Sequence, residues 1–136
     1  MTVPLSMTSL ARASWVHVLF AFLAMGGWAA FANRTHGFDH AARAGLVQGA
    51  VSAALTFGIK RGLEALFARL RGPLALIGPP LLSCSLVFVL LVSVHTLAGT
   101  PEIWATIAVP FAVSSTYAFV YTASLAAARR RAEARP

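Results

Sequence analysis

One apolar stretch in the first half of the chain carries polar side chains at a regular four-residue spacing. Gln48, Ser52, Thr56, Lys60 and Glu64 lie mostly among Ala, Val, Leu, Gly, Phe and Ile. In an α-helix a four-residue step turns only about 40° beyond a full turn, so these groups form one slowly winding stripe. Inside a bilayer, polar side chains usually face neighbouring helices. The stripe therefore predicts either hydrogen bonds between helices or a hydrated or headgroup-lined path along the bundle.

The expected interior part of this stripe is Gln48, Ser52 and Thr56. Gly45, Gly49 and Ala53 form a second stripe of small residues, which allows close contact with another helix. Hydrogen-bonding partners for the polar stripe are expected on two later apolar stretches, at Ser83, Ser85, Ser93, Ser114, Ser115, Thr116, Tyr117 and Tyr121.

A second group of side chains that could bind a ligand lies around two short polar turns. Arginine and histidine together favour recognition of an anionic or sugar headgroup, or of a partner protein. His36 and His40 also have the spacing at which two imidazoles on one helix share a metal. Gly37 disfavours a helix through His36, and no metal site is predicted. The predicted recognition group is Arg34, His36, Asp39, His40, Arg43, His95 and Glu102.

Basic residues outside the apolar stretches form a third group. The net charge is +7, but no face interleaves cations with aromatic rings as a nucleic-acid site would, and nucleic acid is excluded as a partner. Anionic lipid headgroups or a partner protein explain the charge better. The residues predicted to make these contacts are Lys60, Arg61, Arg69, Arg71, Arg129, Arg130 and Arg131.

The sequence lacks the residues and motifs that several kinds of catalysis and transport require. The sequence has no GxxxxGK[ST], GxSxG or HExxH motif. The acidic residues Asp39, Glu64, Glu102 and Glu133 lie at or beyond the ends of the apolar stretches, so no carboxylate pair or proton-antiport acid is evident. Cys84 is the single cysteine, which excludes an internal disulfide. We predict no catalytic residue and no cofactor, and an enzymatic activity is not favoured.

The elements that position these residues follow from composition. Of 136 residues, 58% are hydrophobic and 11% are charged, whereas a soluble domain has about 25% charged residues. Helices of about 20 apolar residues satisfy their own backbone in lipid. The sequence therefore predicts an all-α polytopic membrane protein with four transmembrane helices in two hairpins, at residues 13–32, 41–59, 74–98 and 103–126.

The connecting segments have their own predicted structure. Residues 1–12 and the basic tail 127–136 flank the membrane domain 13–126, and the first apolar run is expected to be retained rather than cleaved. Residues 60–72 are an amphipathic loop that either continues the second helix or lies in the headgroup layer. Gly78-Pro79-Pro80 should kink the third helix or mark its start. Thr100 is the expected N-cap of the fourth helix.

Charge asymmetry predicts the orientation. Nine Lys and Arg residues flank the helices on the side of both termini, and two, Arg34 and Arg43, lie on the other side. The positive-inside rule then places both termini in the cytoplasm of a multi-pass cell-membrane protein, with a bacterial inner membrane as the expected location.

These observations favour a small integral membrane protein that acts as a non-enzymatic lipid-handling or accessory subunit of an envelope system. The alternative is a small transporter or channel whose path follows the polar stripe. The expected partners are membrane lipids, anionic on the cytoplasmic side, and either further copies of the chain or a partner membrane protein.

Overall fold

The computed structural model describes residues 7–135, with side-chain environments from residue 15 onward. Within this part the chain forms four α-helices, a one-turn 3-10 helix at Arg34–His36 and no strand. This confirms the predicted all-α class with four helices. Residues 1–6, Pro136 and the side chain of Arg12, which belong to the predicted flanking segments, lie outside the described residues. The helices are α1 (Met7–Ala32), α2 (Phe38–Arg69), α3 (Pro73–Leu97) and α4 (Ile103–Glu133).

The helices alternate in direction, so that consecutive helices are antiparallel. Contacts between Gly26 and Gly45 join α1 to α2, and the Gln48–His95 hydrogen bond joins α2 to α3. The bundle has two ends. We call the end with the α1–α2 and α3–α4 connections the turn end, and the end with the α2–α3 connection and the last part of α4 the basic end.

Each helix contains a segment long and apolar enough to cross a membrane, by length and composition. Large apolar side chains cover the outside of the bundle: Phe20 is 70% exposed, and Val120 is 65% exposed. Polar side chains such as Gln48 and His95 are fully buried. An outside covered by large apolar side chains is unusual for a water-soluble protein, in which contiguous exposed apolar patches are small.

Helix α2 is longer than the predicted span 41–59. Residues 60–69 continue the helix instead of forming a separate segment, and Leu63 and Phe67 are buried against the rest of the bundle. Helix α3 starts at Pro73, ahead of Gly78-Pro79-Pro80, and both prolines lie buried inside it. The missing proline N–H groups are therefore accommodated within the helix rather than at its first turn.

Helix α4 begins at Ile103, as the predicted span does, but its N-cap residue differs from the prediction. Glu102, not Thr100, occupies the N-cap position, and its side chain makes no capping hydrogen bond. The Thr100 hydroxyl is instead 2.8 Å from the imidazole of His95. The side chain of Asn33 contacts this helix end from outside α4, because its Oδ1 accepts the backbone N–H of the N-cap residue Glu102 at 3.0 Å.

Candidate functional site

A buried polar network fills the interior near the turn end. The Gln48 amide Nε2 donates to Ser52 Oγ at 2.8 Å, and Gln48 Oε1 lies 2.8 Å from His95 Nε2. Since Gln48 Oε1 can only accept, His95 donates from Nε2. Its Nδ1 lies 2.8 Å from the Thr100 hydroxyl. The chain of bonds fixes the orientation of the imidazole and links α2 to the end of α3.

A second buried group ties α1 to the start of α4. The Asn33 amide donates to the carbonyl of Ala29 at 2.9 Å and to the hydroxyl of Thr106 at 2.8 Å. Thr106 in turn donates to the Glu102 carbonyl at 2.6 Å. Asn33 and Thr106 are both fully buried. The Glu102 carboxylate lies outside this buried group, and it pairs with His36 at 2.8 Å.

The structure places His95 differently from its sequence-based assignment. Predicted as part of the exposed recognition group, it has no exposed surface, because the last turn of α3 directs its ring to Gln48 and Thr100. Its bond to Gln48 also replaces the serine and tyrosine partners predicted for the polar stripe. The directly following turn with Thr100 is the one local signal that His95 would find a partner within the chain.

The other predicted recognition residues lie together at the turn end. Arg34 stacks on the Phe31 ring, with its Cζ 3.9 Å from the ring centre. Arg43 donates to Nδ1 of His40 at 3.1 Å, whereas His36 faces Glu102. The two histidines thus have different partners. In the described part of the chain, no three His, Cys, Asp or Glu side chains are grouped so that they could hold a metal.

The lower half of the polar stripe borders a cavity of about 770 Å³ between α1, α2 and α4. We call it the lateral cleft. Many of its lining residues are exposed at the bundle surface, including Phe57 at 50% and Val113 at 53%, so the cleft opens sideways. Its apolar wall includes Val18, Phe20, Ala21, Met25, Pro110 and Val113, and its polar lining includes Ser52, Thr56, Lys60, Arg61, Ser114 and Tyr117.

The predicted interior stripe is thus divided between two environments. Gln48 is fully buried in the network, and Ser52, 7% exposed, belongs to both the network and the cleft. Thr56 is exposed in the cleft, and its hydroxyl donates to the Ser52 carbonyl at 2.8 Å. One helical turn further, Lys60 lies where the cleft reaches the basic end.

An acidic residue, Glu64, lies beside the cleft residue Lys60. The Tyr121 hydroxyl donates to Glu64 at 2.5 Å, and Lys60 Nζ is 4.0 Å from the same carboxylate oxygen. The ring of Tyr121 stacks on that of Tyr117, with centroids 5.3 Å apart. The four-residue spacing extends the stripe to Glu64 but does not predict this bond to α4.

Most of the predicted cytoplasmic contact residues are exposed. Arg129 is partly buried, and its guanidinium donates to the Phe67 carbonyl at 2.8 Å and to the Leu70 carbonyl at 3.1 Å. It also stacks on the Phe67 ring at 3.9 Å. Arg129 therefore caps the C-terminus of α2. The exposed members of the group are Lys60, Arg61, Arg69, Arg71, Arg130 and Arg131.

The lining of the lateral cleft offers contacts for an amphipathic molecule. The carboxylates of Glu64 and Glu102 lie at opposite ends of the bundle, and the cleft combines apolar walls with two cations. No protein-family model, curated protein or solved structure matches the chain. The function must therefore be inferred from the cleft and the buried polar network.

Proposed function

We propose that this chain is a small multi-pass membrane protein that binds a membrane lipid in the lateral cleft. It acts as a non-enzymatic lipid-handling or accessory subunit of an envelope system. The cleft is the observation that carries the proposal. Its volume of about 770 Å³ falls within the range of about 300–1,000 Å³ typical of small-molecule sites. Its sideways opening gives a lipid direct access from a surrounding bilayer.

The hydroxyl groups of the inner wall favour a lipid chain over a polar solute. Thr56 donates to its own helix at the Ser52 carbonyl, and Ser114 donates to the Phe111 carbonyl at 3.1 Å. Ser52 accepts from Gln48. Because each of these three hydroxyl groups already has a hydrogen-bonding partner in the protein, an apolar chain beside them does not leave them unsatisfied.

The charge distribution supports a cytoplasmic position for the basic end. On this proposal both termini lie in the cytoplasm, and the turn end with Arg34 and Arg43 faces the opposite side. The lateral cleft then lies in the cytoplasmic half of a bacterial inner membrane. Arg34, His36, Asp39, His40, Arg43 and Glu102 form a polar rim outside, where a headgroup or a partner protein is the proposed contact.

A small transporter is a second candidate, favoured by the position of Ser52. Ser52 both lines the cleft and accepts the hydrogen bond from Gln48. Rotation of the Gln48 side chain would extend the cleft towards His95. In the structure, however, the Gln48–His95–Thr100 network closes this route, so lipid binding from the side requires less rearrangement.

Mass spectrometry of the protein purified in mild detergent tests lipid binding and reports the number of copies in the same spectra. We expect a retained lipid on the wild-type protein. Ala21→Phe places a large ring in the cleft and should abolish retention. Ala54→Phe makes the same change at an exposed site outside the cleft and should leave retention unchanged. Absence of lipid from the wild type, or equal retention by both variants, would contradict the proposal.

A further inference from the structure

Resting on the proposed lipid-binding function, we propose that the lateral cleft selects an anionic phospholipid. The headgroup phosphate lies against Arg61 and Lys60, and one acyl chain extends along the cleft towards Met25. Neither this class of lipid nor its direction in the cleft follows from lipid binding alone.

The cations at the cleft mouth are not equivalent. Lys60 shares its charge with Glu64, at an Nζ–Oε1 distance of 4.0 Å. Arg61 makes no hydrogen bond or ion pair to any residue in the described part of the chain. Lys60, Arg61 and Glu64 together carry a net charge of +1, and the guanidinium of Arg61 is the cation without an acidic partner among them. A guanidinium presents several N–H donors in a planar fork that matches phosphate oxygens.

Polarity along the cleft matches the two parts of a phospholipid. Along α1 the cleft extends from His17 to Met25, a helical rise of about 12 Å. Lys60 and Arg61 lie towards the basic end, whereas Met25 and Pro110 lie further into the bundle. A lipid chain in a bilayer runs roughly parallel to such helices. The cleft therefore orients a lipid with its charge at the basic end and its chain alongside α1.

The apolar wall separates a lipid from a free anion. A soluble phosphate could contact Arg61, but it would leave the wall formed by Val18, Ala21 and Val113 unused. Burial of an acyl chain contributes about 0.8 kcal/mol for each methylene group removed from water, although a chain transferred from surrounding lipid gains less. The cations therefore select among lipids by headgroup charge, and the apolar wall favours a lipid over a soluble anion.

Competition between two lipids tests the inference. The purified protein is exposed to an equimolar mixture of phosphatidylglycerol and phosphatidylcholine with identical chains in mild detergent, and the bound species are counted by mass spectrometry. The wild type should retain mainly phosphatidylglycerol. Arg61→Gln should lower that preference about fivefold, as expected for one basic residue near an anionic headgroup. Arg135→Gln removes the same charge from an exposed residue outside the cleft and should leave the preference unchanged.

The outcomes separate this inference from the function on which it rests. Retention of both lipids in equal amounts would overturn the anionic selectivity while leaving lipid binding intact. An equal loss of preference in both arginine variants would assign selectivity to general surface charge and also overturn it. Displacement of phosphatidylglycerol by inorganic phosphate alone would show that the chain contributes nothing. Circular dichroism of each variant checks that the helices are retained.

Discussion

The Gln48 side chain joins the Ser52 hydroxyl to the His95 imidazole in the interior. Gln48→Leu would leave His95 Nε2 and the Ser52 hydroxyl without their present partners, both in a buried position. An unsatisfied buried polar group costs about 1–3 kcal/mol, whereas hydrogen bonds between membrane helices average about 0.6 kcal/mol. We expect the free energy of unfolding to fall by about 1 kcal/mol, measured by thermal unfolding in detergent.

Thr116→Val is the matched control, because the exposed Thr116 hydroxyl donates only to the carbonyl of Ala112 in its own helix. It should unfold like the wild type. The double variant Gln48→Leu/Ser52→Ala also removes the hydroxyl that Gln48→Leu leaves unpaired, and it should recover part of the loss. A transporter would give a different result for Gln48→Leu: the protein would stay as stable as the wild type while transport stopped.

Substitution of Glu64 should change the preference for phosphatidylglycerol in the opposite direction to substitution of Arg61. Glu64→Gln removes the negative charge beside Lys60 but keeps an oxygen that can accept from Tyr121. The preference for phosphatidylglycerol should rise by about fivefold, since one basic side chain loses its counter-charge. The same lipid competition measures it. Glu133→Gln, at the exposed end of α4, is the control, and an equal rise there would remove Glu64 from the explanation.

At this scale the sequence predicted part of the site. The four-residue spacing identified Gln48, Ser52 and Thr56, and the first two are buried as an interior stripe requires. It could not identify His95 as the partner of Gln48. Helix α3 is apolar around most of its circumference and its serines lie on different sides, so no pattern fixes which face meets α2. The lateral cleft is a gap between three helices, and no single helix encodes it.

At the scale of elements, glycines set the distance between α1 and α2. A Cβ at Gly26 would lie 2.7 Å from the carbonyl oxygen of Gly45, so Gly26→Ala forces the two backbones apart. We expect a loss of about 1–3 kcal/mol, the usual cost of overpacking. The measurement is thermal unfolding in detergent. Gly27→Ala is the adjacent control, because a Cβ there meets nothing within 4 Å, and alanine favours a helix by about 1 kcal/mol. Equal destabilisation by both changes would contradict close packing at Gly26.

Helix identity was predictable, but the contacts that hold two of the helix ends were not. Length and apolar composition indicated four helices, since each needs only its local sequence. The C-terminus of α2 depends on Arg129, which donates to the carbonyls of Phe67 and Leu70 from the far end of α4. The start of α4 depends on Asn33, which accepts the N–H of Glu102. Both caps come from residues distant in sequence, and local rules for helix ends cannot find them.

For the whole molecule, the proposed orientation and the proposed lipid are linked. If the basic end lies in the cytoplasm, the mouth of the lateral cleft faces the leaflet whose anionic lipids attract basic residues. The opposite orientation would place Lys60 and Arg61 away from that surface. The distribution of nine and two basic residues thus bears on both the topology and the ligand, and an error in the first would weaken the second.

Cysteine accessibility in intact cells tests the orientation. In a Cys84→Ser background, which removes the single native cysteine, Thr35→Cys introduces a thiol at the exposed turn end and Ala134→Cys one at the exposed basic end. A maleimide that crosses the outer membrane but not the inner membrane should label the thiol at position 35 in intact cells. It should label the thiol at position 134 only after the inner membrane is opened. The reverse pattern would place both termini outside and move the cleft to the outer leaflet. Labelling of both positions in intact cells would instead show mixed insertion, in which case the basic residues do not determine topology.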